Sequence, residues 1–285
     1  MNIATNLAAD QTRAVNCAPI NVAIAGLGAI GQALARALAG GAVPGVALAG
    51  VAVRDEAKGR ATLRSFGVDV PICEPARLPQ ISDYVIECAP AAVFDQVVRP
   101  VLDAGKKAIV LSVGAILSHL DLIDLARSRG GQIIVPTGAL LGLDAVCATA
   151  EGKIESVTMV TRKPIAGLLG APFLIENNIN ISKLTEAKLI FRGSAHEAAK
   201  GFPANLNVAV ALSLAGIGPD KTTLEIWADP AVTRNTHRIV LKSDSSLLDM
   251  TIENIPSENP KTGRITALSV ISLLRKLTAP LRVGS

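Results

Sequence analysis

A glycine-rich turn near the start of the chain constrains its fold more than any other feature. The segment Gly26-Leu27-Gly28-Ala29-Ile30-Gly31 follows an apolar run at residues 22–25 and precedes an Ala/Leu-rich stretch at residues 32–38. In a strand–turn–helix unit, the first glycine permits the tight turn. The second lets a pyrophosphate approach the backbone, and the third lets the helix pack against the strand. We therefore predict a dinucleotide at this turn, contacted by Gly26, Gly28, Ala29, Ile30 and Gly31.

Short apolar runs and helical segments alternate in the first half of the chain. We predict strands at residues 46–53, 84–89, 107–113 and 133–135, and helices at residues 91–103 and 118–129. Ser118 is the expected N-cap of the second of these helices. Short continuous apolar runs are typical of strands that are buried on both faces of a parallel sheet. Residues 20–136 are therefore predicted to form a Rossmann domain with right-handed crossovers.

The pattern changes after residue 136, where the predicted strands lie closer together and alternate more. They are expected at residues 154–162, 187–191, 222–228, 237–241 and 247–253, with helices at residues 194–200 and 203–214. This predicts a second α+β domain at residues 137–261, with a mixed, mostly antiparallel sheet. A helix at residues 262–277 is expected to pack back on the first domain, and residues 1–19 to form a flexible N-terminal tail.

Composition excludes several classes of protein. Apolar residues make up 49% and charged residues 18% of the chain, which is unlike a disordered protein. The uncharged stretch between Arg13 and Arg36 is long enough to span a bilayer, but Pro19 and its glycines favour a strand and a turn. Residues 1–13 lack the basic start and the apolar core of a signal peptide. We therefore expect a cytoplasmic protein that does not enter a membrane.

Charge and cysteine content narrow the expected partners. The net charge is +4 and aromatic residues make up 2% of the chain, so no stacking platform for nucleic acid is predicted. Small anions such as phosphates or carboxylates are the expected counterpart of the excess charge. The four cysteines are far apart and form no CxxC pair, which favours reduced thiols. No His, Cys and carboxylate cluster has the spacing of metal ligands, so no metal site is predicted.

The end of the second predicted strand bears on the choice of dinucleotide. An acidic residue there binds the adenosine ribose hydroxyls of NAD, whereas an arginine accommodates the 2′-phosphate of NADP. Arg54 and Asp55 both follow this strand. We therefore expect NAD or NADP as the cofactor, the alternative for both residues being a solvated turn.

Several further segments carry a family resemblance. They are residues 111–115 (LSVGA), 137–145 (TGALLGLDA), 161–164 (TRKP), 202–209 (FPANLNVA), 228–230 (ADP), 235–237 (NTH) and 258–262 (ENPKT). In this order and spacing, over residues 21–277, the chain resembles the L-aspartate dehydrogenase family. The resemblance implies reversible oxidation of L-aspartate with NAD or NADP to iminoaspartate, which hydrolyses to oxaloacetate and ammonia. It also implies a place in pyridine nucleotide biosynthesis and a homodimer formed through the second domain.

The same resemblance suggests roles for individual residues. His237 matches the catalytic histidine, Asn207 a residue near the nicotinamide, and Ala139 and Leu141 belong to a loop that touches the cofactor. At Leu141 many relatives have a smaller Ala or Gly. Ala89 and Ser112, in the predicted third and fourth strands, are further cofactor-binding candidates.

The alternation of residues around His237 predicts the orientation of its side chain without reference to the resemblance. On a strand that starts at His237, Ile239 and Leu241 share its face, so the imidazole is expected to point inward. A histidine that titrates near neutrality suits proton transfer from an amine. Two substrate carboxylates need cationic partners. The candidates, which could equally be ordinary surface charges, are Arg162, Lys163, Arg234 and Lys261.

Two other functions remain open on sequence grounds. One is a different two-domain Rossmann oxidoreductase, similar to dihydrodipicolinate reductase or homoserine dehydrogenase. The other is a non-catalytic dinucleotide sensor, which stays open because a fold alone does not establish catalysis. Such a sensor would keep the glycine turn but would need no inward-facing His237.

Overall fold

The computed structural model describes residues 18–202, 206–255 and 263–284. Lys261 and residues 1–17 of the predicted tail lie outside the described residues. The strands are β1 (Ile20–Ala25), β2 (Val46–Ala52), β3 (Tyr84–Glu87), β4 (Lys107–Val110), β5 (Gln132–Ile134), β6 (Ile154–Lys163), β7 (Lys188–Ser194), β8 (Thr222–Ala228), β9 (Asn235–Ser243) and β10 (Leu247–Asn254). The helices are α1 (Ala29–Ala39), α2 (Glu56–Ser65), α3 (Leu78–Ile81), α4 (Phe94–Asp103), α5 (Asp121–Arg129), α6 (Leu143–Ala150), α7 (Pro172–Glu176), α8 (Ala195–Gly201), α9 (Asn207–Ala215) and α10 (Ile265–Thr278).

The first sheet contains five parallel strands in the order β2-β1-β3-β4-β5. The predicted Rossmann-type parallel sheet is thus confirmed. The apolar run in β1 is buried from Val22 to Ala25, as expected for a strand covered on both faces. The chain leaves β1 toward β2 on one side, and β3 lies on its other side. Ligands bind beyond the carboxyl ends of strands at such a switch point, which here lies between β1 and β3.

One local prediction in this half of the chain is wrong. Ser118 does not cap a helix, because the chain first forms a 3₁₀ turn over Val113–Ser118, and α5 begins only at Asp121. Leu120 occupies the N-cap position and makes no side-chain cap. The 3₁₀ turn packs against α9 of the second half, so tertiary packing overrides the local cap signal.

The second sheet has the order β10-β9-β6-β8-β7. Only the β6–β8 pair is parallel among these neighbours, which confirms a mixed, mostly antiparallel sheet. Burial alternates along its central strands, so that one face is covered and the other is only half-buried. Met159, Ile226 and Ile239 belong to the covered face.

The C-terminal helix α10 returns to the first sheet, where it packs on α1 and β2. Val270 and Leu274 are fully buried there. Arg275 and Thr278 donate hydrogen bonds to the carbonyl oxygens of Ala42 (2.7 Å) and Pro44 (2.8 Å). The domain limits 20–136 and 137–261 stay a prediction. Within the described ranges, no helix is long and apolar enough to cross a membrane.

Candidate active site

The glycine turn between β1 and α1 leaves room for a ligand. Gly26 has φ +98°, and a Cβ there would lie 2.7 Å from the carbonyl oxygen of Cys88. A Cβ on Gly31 would collide with the carbonyl oxygen of Gly26, whereas one on Gly28 would meet only open space. Gly28 is also the N-cap of α1 and has no side chain with which to cap the helix. The turn therefore fits the pyrophosphate of a dinucleotide, with Ala29 and Ile30 in the first turn of the helix.

Arg54 and Asp55 lie exposed just beyond β2. One carboxylate oxygen of Asp55 accepts a hydrogen bond from the backbone N–H of Lys58 (2.9 Å) and so caps α2. The other carboxylate oxygen and the Arg54 guanidinium follow the second strand, where Rossmann domains recognise the adenosine ribose of a dinucleotide.

A buried carboxylate organises the next two loops of this edge. Glu87, the last residue of β3, is fully buried and accepts hydrogen bonds from the backbone N–H groups of Ala89 (3.0 Å), Leu111 (3.2 Å) and Ser112 (2.8 Å). The Ser112 hydroxyl donates a fourth (3.0 Å). Burial raises the pKa of Glu87, and the hydrogen bonds from Ser112, Leu111 and Ala89 oppose this. Glu87 thus fixes the predicted cofactor-binding residues Ala89 and Ser112. The sequence signal that could have revealed it is an acidic residue at the end of an apolar strand.

A cleft separates the glycine turn from the covered face of the second sheet. Its lining includes Ile30, Leu111, Ala139, Lys163, Asn207 and His237. The structure therefore brings residues from both halves of the chain into one site.

His237 and Lys163 occupy the wall of the cleft that the second sheet forms. As the alternation predicted, His237 is buried on the same face of β9 as Ile239 and Leu241. Thr161 is its cross-strand partner on β6, and the Thr161 hydroxyl oxygen lies 3.1 Å from His237 Nδ1. Lys163 lies two residues farther along β6 on the same face and is 6% exposed. The wall thus combines an imidazole and an ammonium group away from bulk water.

The protonation states of this wall differ from the sequence-based expectation. Burial, with a contribution from the Lys163 charge, lowers the pKa of His237 to about 3. Burial also lowers the pKa of Lys163 to about 8. The prediction that His237 titrates near neutrality is therefore wrong for the free protein, because desolvation disfavours the charged ring. Of the two, Lys163 titrates nearest the physiological range.

Hydrogen bonds to residues distant in the chain hold Asn207 and the loop at residues 137–141. The Asn207 side-chain oxygen accepts a hydrogen bond from the Gly114 N–H (3.0 Å). Asn254, which the sequence did not reveal, donates to the Ala139 carbonyl (2.9 Å), and Gly138 donates to the Ser269 hydroxyl of α10 (3.0 Å). Leu141 is half-buried and lies outside the cleft lining.

Two of the other predicted carboxylate-binding residues, Arg162 and Arg234, do not reach the cleft. Arg162 lies on the opposite face of β6, where its guanidinium bonds Asp229 (3.0 Å) and stacks over the ring of Trp227 (5.1 Å). Arg234 is exposed just before β9, and Lys261 lies outside the described residues. The period of two along a strand separates Arg162 from Lys163, so only Lys163 enters the site among the described candidates.

Two family matches divide the chain. Residues 26–136 match the family described as "Homoserine dehydrogenase, NAD binding domain". Residues 144–277 match the family described as "Aspartate dehydrogenase, C-terminal". Lys163, Asn207 and His237 all lie within the second match.

Relatives match over nearly the whole chain. The protein is 62% identical over 266 residues to L-aspartate dehydrogenase 3 of Bordetella bronchiseptica, which covers 93% of this chain and 98% of that protein. It is 57% identical to L-aspartate dehydrogenase of Bradyrhizobium diazoefficiens, over 97% of each chain. Among solved structures, aspartate dehydrogenase from Thermotoga maritima superimposes with a TM-score of 0.71 at 23% identity, over 93% of this chain and 99% of that one. This likeness shows a shared fold.

Proposed function

The chain belongs to the L-aspartate dehydrogenase family, and we propose that its cleft oxidises L-aspartate to iminoaspartate with NAD or NADP. The imine then hydrolyses to oxaloacetate and ammonia. The observation that carries the proposal is the buried pair Lys163 and His237, which faces the glycine turn across a single cleft. A bound nicotinamide dinucleotide would supply the acceptor for the hydride that leaves C2 of the substrate. The glycine turn, Asn207, and the residues Ala89 and Ser112 that Glu87 fixes are the groups that would hold it.

Lys163 provides the cation that a dicarboxylate substrate needs. Below a pH of about 8 its amine is protonated, although burial opposes the charge. A carboxylate that enters the cleft forms an ion pair with this ammonium group. Because water screens charges less in the cleft than at the surface, this ion pair is stronger than a surface one. Above that pH the neutral amine of Lys163 can instead accept a proton.

His237 contacts the substrate through Nε2, since Nδ1 faces Thr161. The substrate nitrogen must lose a proton before its lone pair can form the C=N bond. Two nitrogen atoms of the cleft wall are the candidate groups for handling this proton, Nε2 of His237 and Nζ of Lys163. Both side chains belong to strands of the sheet, which positions them more precisely than a loop would.

The half-buried face of the second sheet supports a homodimer. Val160, Trp227 and Val240 lie on this face, opposite the side that covers the cleft. Packing of two such faces would bury them. Light scattering should give the mass of two chains, and Val160→Arg should give that of one. A monomeric wild-type protein would exclude this arrangement.

A cytoplasmic location is supported by the free thiols of Cys73, Cys88 and Cys147.

A substrate screen tests the proposed activity. Formation of reduced cofactor is followed with NAD and with NADP for L-aspartate, D-aspartate, L-glutamate, L-asparagine and L-homoserine, and in reverse with oxaloacetate and ammonia. We expect the highest kcat/KM for L-aspartate. Preferred oxidation of homoserine, or cofactor binding with no oxidation of any amino acid, would reject the proposal.

A variant pair tests the role of His237. His237→Ala should lower kcat by about 10²- to 10⁴-fold, because the group that contacts the reacting substrate is lost, and should leave the Kd of the cofactor unchanged. The matched control is His196→Ala, since His196 is exposed and pairs with Asp220 at 2.9 Å. Wild-type kcat in His237→Ala would refute the assignment.

A further inference from the structure

Thr161 and His237 form a hydrogen-bonded pair inside the cleft wall. The side chains are 3% and 4% exposed, and their residues are paired in register between β6 and β9. The distance from Thr161 Oγ1 to His237 Nδ1 is 3.1 Å. Because both residues lie on central strands of one sheet, the contact is set by the sheet itself.

The direction of this hydrogen bond follows from the partners available. A threonine hydroxyl has one proton to donate, and a neutral imidazole has one N–H and one accepting nitrogen. Among the described residues, His237 Nδ1 is the hydrogen-bond partner of the Thr161 hydroxyl. If Nδ1 carried the proton, the hydroxyl proton would be buried without an acceptor, which is costly. If the hydroxyl donates to Nδ1, both groups are satisfied.

We propose that Thr161 is a positioning residue that holds His237 in the neutral tautomer with the proton on Nε2. The nitrogen that faces the substrate is then a hydrogen-bond donor. The low pKa of His237, caused by burial and by Lys163, keeps the ring neutral and so supports this state. The inference rests on the proposed function for its consequence in catalysis, but the tautomer follows from the geometry alone.

This tautomer divides the work between the two groups of the wall. His237 Nε2–H donates to an oxygen of the bound acid, which is a carboxylate of aspartate or, on the return path, the keto oxygen of oxaloacetate. It cannot also accept the ammonium proton, since Nε2 already carries one. Lys163 Nζ in its neutral form takes that proton. One N–H bond of the substrate breaks and one N–H bond forms at Nζ. The hydrogen at C2 then leaves as hydride with both electrons of the C2–H bond.

Nitrogen NMR reads the tautomer directly. The full-length protein is labelled with ¹⁵N-histidine, and its three histidines are assigned with His119→Gln and His196→Gln. We expect His237 Nδ1 to resonate as an unprotonated nitrogen and Nε2 as a protonated one from pH 6 to 9. A protonated Nδ1 with a bare Nε2 would overturn the proposal. The measurement needs no substrate, so its result is distinguishable from a failure of the proposed activity.

Three threonine variants test the positioning role. Thr161→Val keeps the shape of the side chain, and we expect it to lower kcat roughly 5- to 150-fold with an unchanged KM for the cofactor. Its His237 spectrum should show both tautomers, and Thr161→Ser should restore kcat and spectrum together. Thr222→Val is the control, because Thr222 is equally buried in the same sheet and its hydroxyl bonds the Gly218 carbonyl (2.9 Å). Wild-type kcat in Thr161→Val, or a Thr161→Ser variant as impaired as Thr161→Val, would contradict the proposal.

Discussion

Replacement of Lys163 by methionine should stabilise the protein while it removes activity. The Lys163 side chain is buried, and this lowers its pKa from the ordinary 10.5 to about 8. At about 1.36 kcal/mol per pH unit, the difference corresponds to a cost of about 3 kcal/mol for the folded, charged state at neutral pH. Methionine fills a similar volume without the charge. Methionine also loses the contact that the ammonium group makes, so Lys163→Met should unfold with a free energy up to about 3 kcal/mol higher than wild type at pH 7.

The stabilising effect of Lys163→Met should depend on pH. Because the pKa of Lys163 is lower in the folded protein than in the unfolded chain, the unfolded chain binds the proton more tightly. Above pH 10.5 Lys163 is neutral in both states and burial of its charge costs nothing. As the pH falls from 10.5 through about 8, the unfolded chain takes up the proton first, and the free energy of unfolding falls. The stability difference between Lys163→Met and wild type should therefore be full at pH 7 and close progressively between pH 8 and 10.5.

Urea unfolding at pH 7, 8, 9 and 10 provides the assay. The fluorescence of Trp227, the single tryptophan of the chain, reports on the sheet that contains Lys163. Lys242→Met is the control, because Lys242 is exposed on β9 and its removal should leave the free energy of unfolding unchanged. A difference between Lys163→Met and wild type that does not vary with pH would refute the reasoning.

Three further predictions concern the cofactor half of the site. Gly28→Ala should abolish dinucleotide binding in calorimetry while the Tm stays unchanged, because its Cβ would project into the open space over the turn; tight binding in this variant would place the pyrophosphate elsewhere. Glu87→Gln should lower the free energy of unfolding by about 1–3 kcal/mol in urea titrations, because even with its oxygen toward Leu111 and Ser112 the amide NH₂ would face the backbone donor of Ala89. An unchanged value would remove Glu87 from its organising role. Arg54→Ala should raise the Kd for NADP about tenfold or more and leave that for NAD unchanged; equal effects on both cofactors would contradict the role of Arg54.

The sequence predicted those features that depend on residues close together in the chain, such as the glycine turn and the orientation of His237. The glycine turn is readable because its strand, turn and helix are contiguous in the chain, between residues 20 and 39. The inward orientation of His237 follows from the alternation with Ile239 and Leu241. The same alternation separates Arg162 from Lys163, but it does not say which face of the strand borders the cleft.

The remaining features depend on contacts between distant residues. Glu87 receives its hydrogen bonds from Leu111 and Ser112, which lie 24 and 25 residues away. Thr161 and His237 are separated by 76 residues and meet only through the register of β6 and β9. The low pKa of His237 is likewise a consequence of burial in the assembled sheet. No local pattern contains this information.

Isotope transfer from the substrate tests the central claim most directly. Wild-type protein is incubated with L-aspartate that carries deuterium at C2, together with NAD or NADP, and the reduced cofactor is analysed by mass spectrometry. We expect one deuterium per reduced cofactor, with formation of oxaloacetate and ammonia, and a greatly reduced rate in His237→Ala. Reduced cofactor that lacks deuterium, or a protein that binds the dinucleotide but forms no reduced cofactor from L-aspartate, would contradict it.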